Sequence, residues 1–173
     1  LQLIKPGGGI RGSLIATLYL ILFTLLFSLF IGIGASIYFV MYAKENKFKR
    51  ILETLVNITS GIPSIIFGFV GLLMFVPLVK AVTGKEDYSI LAGSLTMTIM
   101  LLPVIIKTTS EALLNVPKSY EEASLALGAS KTQTVFKIIL PNALPGILTA
   151  ILLSVGRIIG ESAAIMFVMG TQI

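Results

Sequence analysis

The chain has 173 residues, of which 55% are hydrophobic and 12% charged, with a mean hydropathy of +0.99. A soluble domain carries about 25% charged residues, so this composition excludes an ordinary water-soluble fold; spans of about 20 residues each would fit about four or five times. No cysteine or histidine is present, which excludes thiol chemistry, disulfides and the usual zinc and haem sites, and the net charge of +5 sits in short loops between apolar runs, where it bears on membrane orientation rather than on nucleic acid.

The opening LQLIKPGGGIRGS has no charged start followed by an apolar stretch, so no signal peptide is read there. The chain starts at Leu1 and stops at MGTQI directly after an apolar run, and we expect truncation at both ends. A first span is predicted over about 14–42, where Ser28, Gly32 and Ser36 repeat at every fourth residue and would let another helix approach closely. The basic loop KENKFKR, from Lys44 to Arg50, leads into a second apolar stretch over about 51–79, interrupted by Gly61-Ile62-Pro63-Ser64. A third span is predicted over about 90–106 and a fourth over about 145–169.

Lysine and arginine set the expected orientation. Lys44, Lys47, Lys49, Arg50, Lys107, Lys118, Lys131 and Lys137 flank two alternate loops, which should face the cytoplasm. Lys5, Arg11, Lys80 and Lys85 fall on the other side, which makes the start of the chain extracytoplasmic.

Residues 108–141 are far more polar than their surroundings, yet patterned. Ser119 with Glu122, and Ser130 with Gln133, have the spacing of capping boxes. Two short helices are predicted, broken at Gly128; Ala123, Ala126 and Leu127 share a face of the first, and Val135, Ile138 and Ile139 a face of the second. Such faces need a cover, either a cytoplasmic partner or the lipid interface. Glu121 and Glu122 favour a partner, since interfacial helices prefer a basic polar face.

Glu122-Ala123-Ser124, then Gly128, then Ile138-Ile139-Leu140-Pro141 resembles the EAA loop of ABC-importer permeases, with Ser124 where the family pattern has a second alanine. The resemblance implies that the helix before the glycine docks in a groove of a separate ATPase subunit, with Glu122, Ala123 and Gly128 as coupling residues. No G-x-x-x-x-G-K-[ST] sequence occurs, so ATP and magnesium would belong to that partner chain and this chain would be no enzyme. ATLYL at 16–20, GIPSIIFGFVGL at 61–72, the stretch 105–130 and ALPGILTAILLSVGRIIGES extend the likeness to PstA-type phosphate permeases. That likeness implies an all-α, polytopic type I importer fold in an inner membrane. It also implies a second, PstC-type permease subunit, an ATPase dimer and an extracytoplasmic phosphate-binding protein as partners.

Four residues are candidates for the substrate path. Arg157 falls near the middle of the fourth predicted span, where a charge costs at least about 2.5 kcal/mol and usually faces a partner or a watery cavity. Glu161, one turn on, would either weaken its hold on phosphate or simply neutralise it. Lys107 lies at the cytoplasmic end of the third span, near the route or merely snorkelling. Ser64 follows the Pro63 break, which either offers a half-helix N-terminus to an anion or serves packing. Cargo other than phosphate, such as another oxyanion or a small solute, fits the same machine, and a secondary transporter or channel fits the spans without the loop.

Overall fold

The computed structural model describes residues 9–44, 47–59, 61–84 and 90–161. Every regular element among them is helical: α1 (Gly9–Ile37), α2 (Lys47–Thr59), α3 (Ser64–Val70), α4 (Val76–Thr83), α5 (Ile90–Leu114), α6 (Lys118–Ala126), α7 (Lys131–Thr134) and α8 (Leu140–Gly160). Wider π-turns at Tyr38–Tyr42, Gly71–Phe75 and Val135–Ile139 end α1 and join α3 to α4 and α7 to α8. Among the described residues, four continuous helices are long and apolar enough to cross a membrane: Leu14–Tyr42, Ser64–Thr83, Ile90–Leu114 and Lys131–Gly160.

The first matches the sequence expectation; the others shift for identifiable reasons. The stretch 51–79 is two elements rather than one. α2 separates its apolar and polar residues onto opposite sides, and the chain then breaks at Pro63, whose backbone is extended (φ −58°, ψ 137°) and which has no N–H to continue a helix. The third helix continues two turns past residue 106, because Ala112 and Leu113 at its end pack into the core, which outweighs the low helix propensity of Thr108, Thr109 and Ser110. The fourth begins at Lys131, so the expected second short helix and the span are one continuous element. Prolines that read as breaks are absorbed within it. Leu140 donates its N–H five residues back to Val135 across the π-turn, and the widened turn makes room for the ring of Pro141. The side-chain amide of Asn142 donates to the carbonyl of Ile138 at 2.7 Å. Residues 162–169 of the expected span lie outside the described residues.

By contacts the chain divides into two compact units. One comprises residues 1–28, 62–100 and 155–173, and includes a small core of Val79 and Ala92 with Phe75, Val76 and Leu95 packed on it. The other comprises residues 29–61 and 101–154. Its core joins the end of α1 (Ile37), the end of α5 (Ala112, Leu113), the π-turn (Val135, Ile139) and the start of α8 (Ala143, Ile147).

Close backbone approach holds this second unit together. Gly32 is buried against Ile105, whose Cγ2 lies 2.6 Å from where a β-carbon would stand, and the Ser36 hydroxyl donates across to the carbonyl of Ile106 at 3.0 Å as well as to its own Gly32 carbonyl. The small-residue stripe of the first span therefore meets α5, and Ser28 is buried too. On α8 the tight contact is Gly146 against Ala112. Gly156 and Gly160 have the G-x-x-x-G spacing that suits close helix packing, but both are exposed among the described residues, and a β-carbon there would meet nothing within 4 Å.

Gly146→Ala should therefore destabilise the protein by about 1–3 kcal/mol through overpacking, with Ala112→Gly restoring part of the loss. Gly156→Ala, on the same helix, should change stability by no more than about 1 kcal/mol, in the stabilising direction. Equilibrium unfolding in mixed micelles measures all three.

Candidate coupling site

The polar connection between the third and fourth spans is an ordered helical turn. Past α5, Pro117 (φ −57°, ψ 131°) starts α6 directly, so Ser119 lies inside the helix and the capping box expected with Glu122 does not form. Glu121 falls in the first turn, where a negative charge is favoured by the helix dipole. The other end is closed by backbone geometry. Gly128 adopts φ +85°, its N–H reaches the carbonyl of Leu125 at 2.9 Å, and the N–H of Ala129 reaches the carbonyl of Ser124 at 3.2 Å. These two bonds form a Schellman motif with glycine at its left-handed position. A β-carbon on Gly128 would meet nothing within 4 Å, so backbone conformation, and not space, requires glycine here.

Two residues later the next helix is capped as the sequence predicts. The backbone N–H of Ser130 donates to Gln133 Oε1 at 2.9 Å, and that of Gln133 to Ser130 Oγ at 3.3 Å. A C-terminal motif followed at once by an N-terminal one leaves little rotational freedom between α6 and α7. One side-chain bond reinforces the turn: Thr134 Oγ1, buried, donates to the Ser130 carbonyl at 3.1 Å and lies 2.9 Å from Ser124 Oγ, which must then be the donor to it. The first turn of α7 is also held from the π-turn that ends α1, since the Tyr42 hydroxyl donates to Thr132 Oγ1 at 3.4 Å and the Lys131 ammonium stands 5.5 Å from the centre of the Tyr42 ring.

The two expected apolar faces meet different fates. Val135 and Ile139 are buried and Ile138 half-buried, so the chain itself covers the second face. α6 has no buried residue. Ala123, Ala126 and Leu127 are exposed, the last to 89%, and Glu122 and Gly128 are exposed beside them, so Glu122, Ala123 and Gly128 come together on one open turn. Ser124 entered the motif only as a replacement for alanine, and Thr134 and Tyr42 were not singled out. The hydroxyl pair spans two helices, and no short-range signal marks it.

The path candidates are more dispersed. Arg157 lies in the last turn of α8, half-buried, and Glu161 is half-buried just past it, with its N–H on the Ile158 carbonyl at 3.3 Å. Among the described residues no ion pair joins the two. Ser64 is the first residue of α3, half-buried, and makes no side-chain cap. These three belong to one unit, whereas Lys107 is exposed on the part of α5 that belongs to the other.

Residues 28–173 match the family model of the binding-protein-dependent transport system inner membrane component. The chain belongs to this family of ABC importer permeases. It is thus a multi-pass membrane component of a transport system and not an enzyme. Among relatives of this permease, a probable ABC transporter permease protein, YqgI, of Bacillus subtilis is 41% identical over 96% of the chain and 55% of its own length. The phosphate transport system permease protein PstA 2 of Mycobacterium bovis is 37% identical over 95% of the chain and 52% of its own length. The permease spans about half the length of these curated relatives. Among solved structures, the inward-facing MetNI methionine ABC transporter matches with a TM-score of 0.73 and 28% identity, covering 90% of this chain and 72% of that one.

Gly128→Val should destabilise the turn by about 1–2 kcal/mol, the cost of a β-carbon in left-handed backbone, and Gly128→Asn by less. Ser124→Ala and Thr134→Ala should be non-additive by about 1 kcal/mol, one part-buried hydrogen bond, in a double-mutant cycle of unfolding.

Proposed function

We propose that this permease carries inorganic phosphate inward and is driven by a separate ATPase that grips the turn around Gly128. The observation that carries the coupling part is the exposure of α6. A helix with no buried residue, showing Tyr120, Leu125 and Leu127 to solvent, is fixed by its caps and the Ser124–Thr134 bond to a helix that runs on through the fourth span. A docked α6 would pass a displacement to α8 as a rigid body. Glu122, Ala123 and Gly128 are the proposed contact residues of this EAA-type loop, and the basic residues flanking it support a cytoplasmic location. ATP and magnesium would sit on the ATPase dimer, with a PstC-type second permease and an extracytoplasmic phosphate-binding protein completing the importer.

Phosphate rests on the PstA-named relatives together with Arg157, a half-buried cation in a largely apolar helix. Ser64, Lys107 and Glu161 are the further path candidates. The methionine transporter that shares the architecture favours a second reading, in which the same scaffold moves another small solute, since the fold does not choose the cargo.

In proteoliposomes holding the full-length permeases and the ATPase, Glu122→Lys should abolish ATP-driven uptake of labelled phosphate while membrane insertion is unchanged. Arg157→Gln should lower uptake by at least about tenfold, the equivalent of 1.4 kcal/mol. Normal uptake in the first variant contradicts the coupling role, and normal uptake in the second makes Arg157 structural.

A further inference from the structure

The helix that composition merges with the second span has a separate role. α2 has 13 residues and so measures about 20 Å, too short for a hydrocarbon core of about 30 Å. Its register places Phe48, Ile51, Leu52, Leu55 and Ile58 on one side, at intervals of three and four residues, and Arg50, Glu53, Thr54 and Asn57 on the other. Lys47 and Lys49 occupy the two borders between these sides. Ile51 and Ile58, two turns apart, are 56% and 60% exposed.

Two features identify what covers that side. α2 is tethered at both ends to membrane spans by connections of four residues, 43–46 after the first span and 60–63 before the second. A connection of that length reaches at most about 15–20 Å, so α2 stays at the membrane face. Lys44, Lys47, Lys49 and Arg50 also put four positive charges into seven residues, which suits the anionic headgroups of phospholipids. Exposed apolar residues on one side, with lysines at its borders, are the pattern of a helix lying in the interface plane, its lysine stems reaching outward to the headgroups.

We propose that α2 is a membrane-surface helix that inserts Ile51 and Ile58 at the headgroup–acyl boundary and binds anionic phospholipid through its basic first turn. The first and third connections of a four-span chain emerge on the same side, so this helix shares a membrane face with the Gly128 turn. Assignment to the cytoplasmic leaflet rests on the orientation proposed above; contact with lipid does not.

These 173 residues contain no cysteine, so none of them competes with a single introduced label, and any cysteine elsewhere in the full-length permease is first replaced by serine. The full-length permease, with and without its ATPase, is reconstituted in vesicles of phosphatidylcholine with or without phosphatidylglycerol. A fluorophore is placed at Ile51→Cys, Ile58→Cys, Glu53→Cys or Asn57→Cys. Quenching by nitroxide-bearing phospholipid should be several-fold greater at 51 and 58 than at 53 and 57, with or without ATPase. Lys47→Gln combined with Arg50→Gln should lower quenching at 58 in vesicles containing phosphatidylglycerol and not in phosphatidylcholine alone. Equal quenching at all four positions, or protection of 51 and 58 that appears only with the ATPase, overturns the lipid assignment; indifference to the charge substitutions overturns the anionic preference. None of these readouts uses transport, so failure here is distinct from failure of the phosphate or coupling readings.

Discussion

A backbone that crosses hydrocarbon must satisfy its own N–H and C=O groups, because no water is available and each unpaired group costs several kcal/mol. This constraint shapes the permease throughout. It makes every span a helix and confines irregular backbone to a few positions, each with a compensating device. At Pro141 the device is a π-turn with the Asn142 side chain on a neighbouring carbonyl; at Ser36 a hydroxyl is shared between two helices. Where the chain leaves the spans, the same accounting is done by caps. Pro117 opens α6, glycine closes it, and the Ser130–Gln133 box opens the next helix within two residues. The Gly128 turn is stiff because its backbone bonds are made locally and leave few alternatives.

Stiffness of the turn and exposure of α6 together give the coupling proposal its physical content. A helix buried in the permease could not be gripped, and a helix on a loose linker would absorb displacement instead of passing it on. α6 has no buried residue, and the capped turn at Gly128 joins it to α7, which runs on through its π-turn into the fourth span without a break in helix. The core of Ile37, Leu113, Val135, Ile139 and Ile147 then ties that helix to the ends of α1 and α5. Close contacts at Gly32 and Gly146 make this body hard to deform, since packed interiors switch between arrangements more readily than they bend.

Much of this was legible in the residues. The first span was read with its observed bounds because it is apolar throughout and lacks a breaker. Gly128 was read as the break between two short helices because it lies between one amphipathic run and the Ser130–Gln133 capping pattern. The interruption at Gly61–Ser64 was read, but the stretch 51–79 was still taken as one span, because hydropathy averages over a window and the separate periodicity of α2 begins in the basic loop. The fourth helix was begun too late because Pro141 and Pro145 look like stops until a π-turn is allowed for. Tertiary choices carried no local signal: Ser124 looks like a conservative replacement for alanine until its hydroxyl meets Thr134, and Gly156 and Gly160 fit a packing motif that the described helices do not use. Arg157 is rare enough in an apolar helix to be noticed, but rarity does not say what it faces.

The central claim, that α6 and the fourth span move as one body, is tested by the distance between spin labels at Tyr120→Cys on α6 and Leu148→Cys on α8. The distance is measured by pulsed electron resonance in the full-length importer with and without trapped ATP. The account predicts a distance that stays constant within about 2 Å, the scale of ordinary helix shifts, while transport-linked changes appear elsewhere. A nucleotide-dependent change well beyond that value would mean that the turn bends at Gly128, and would contradict rigid transmission through it.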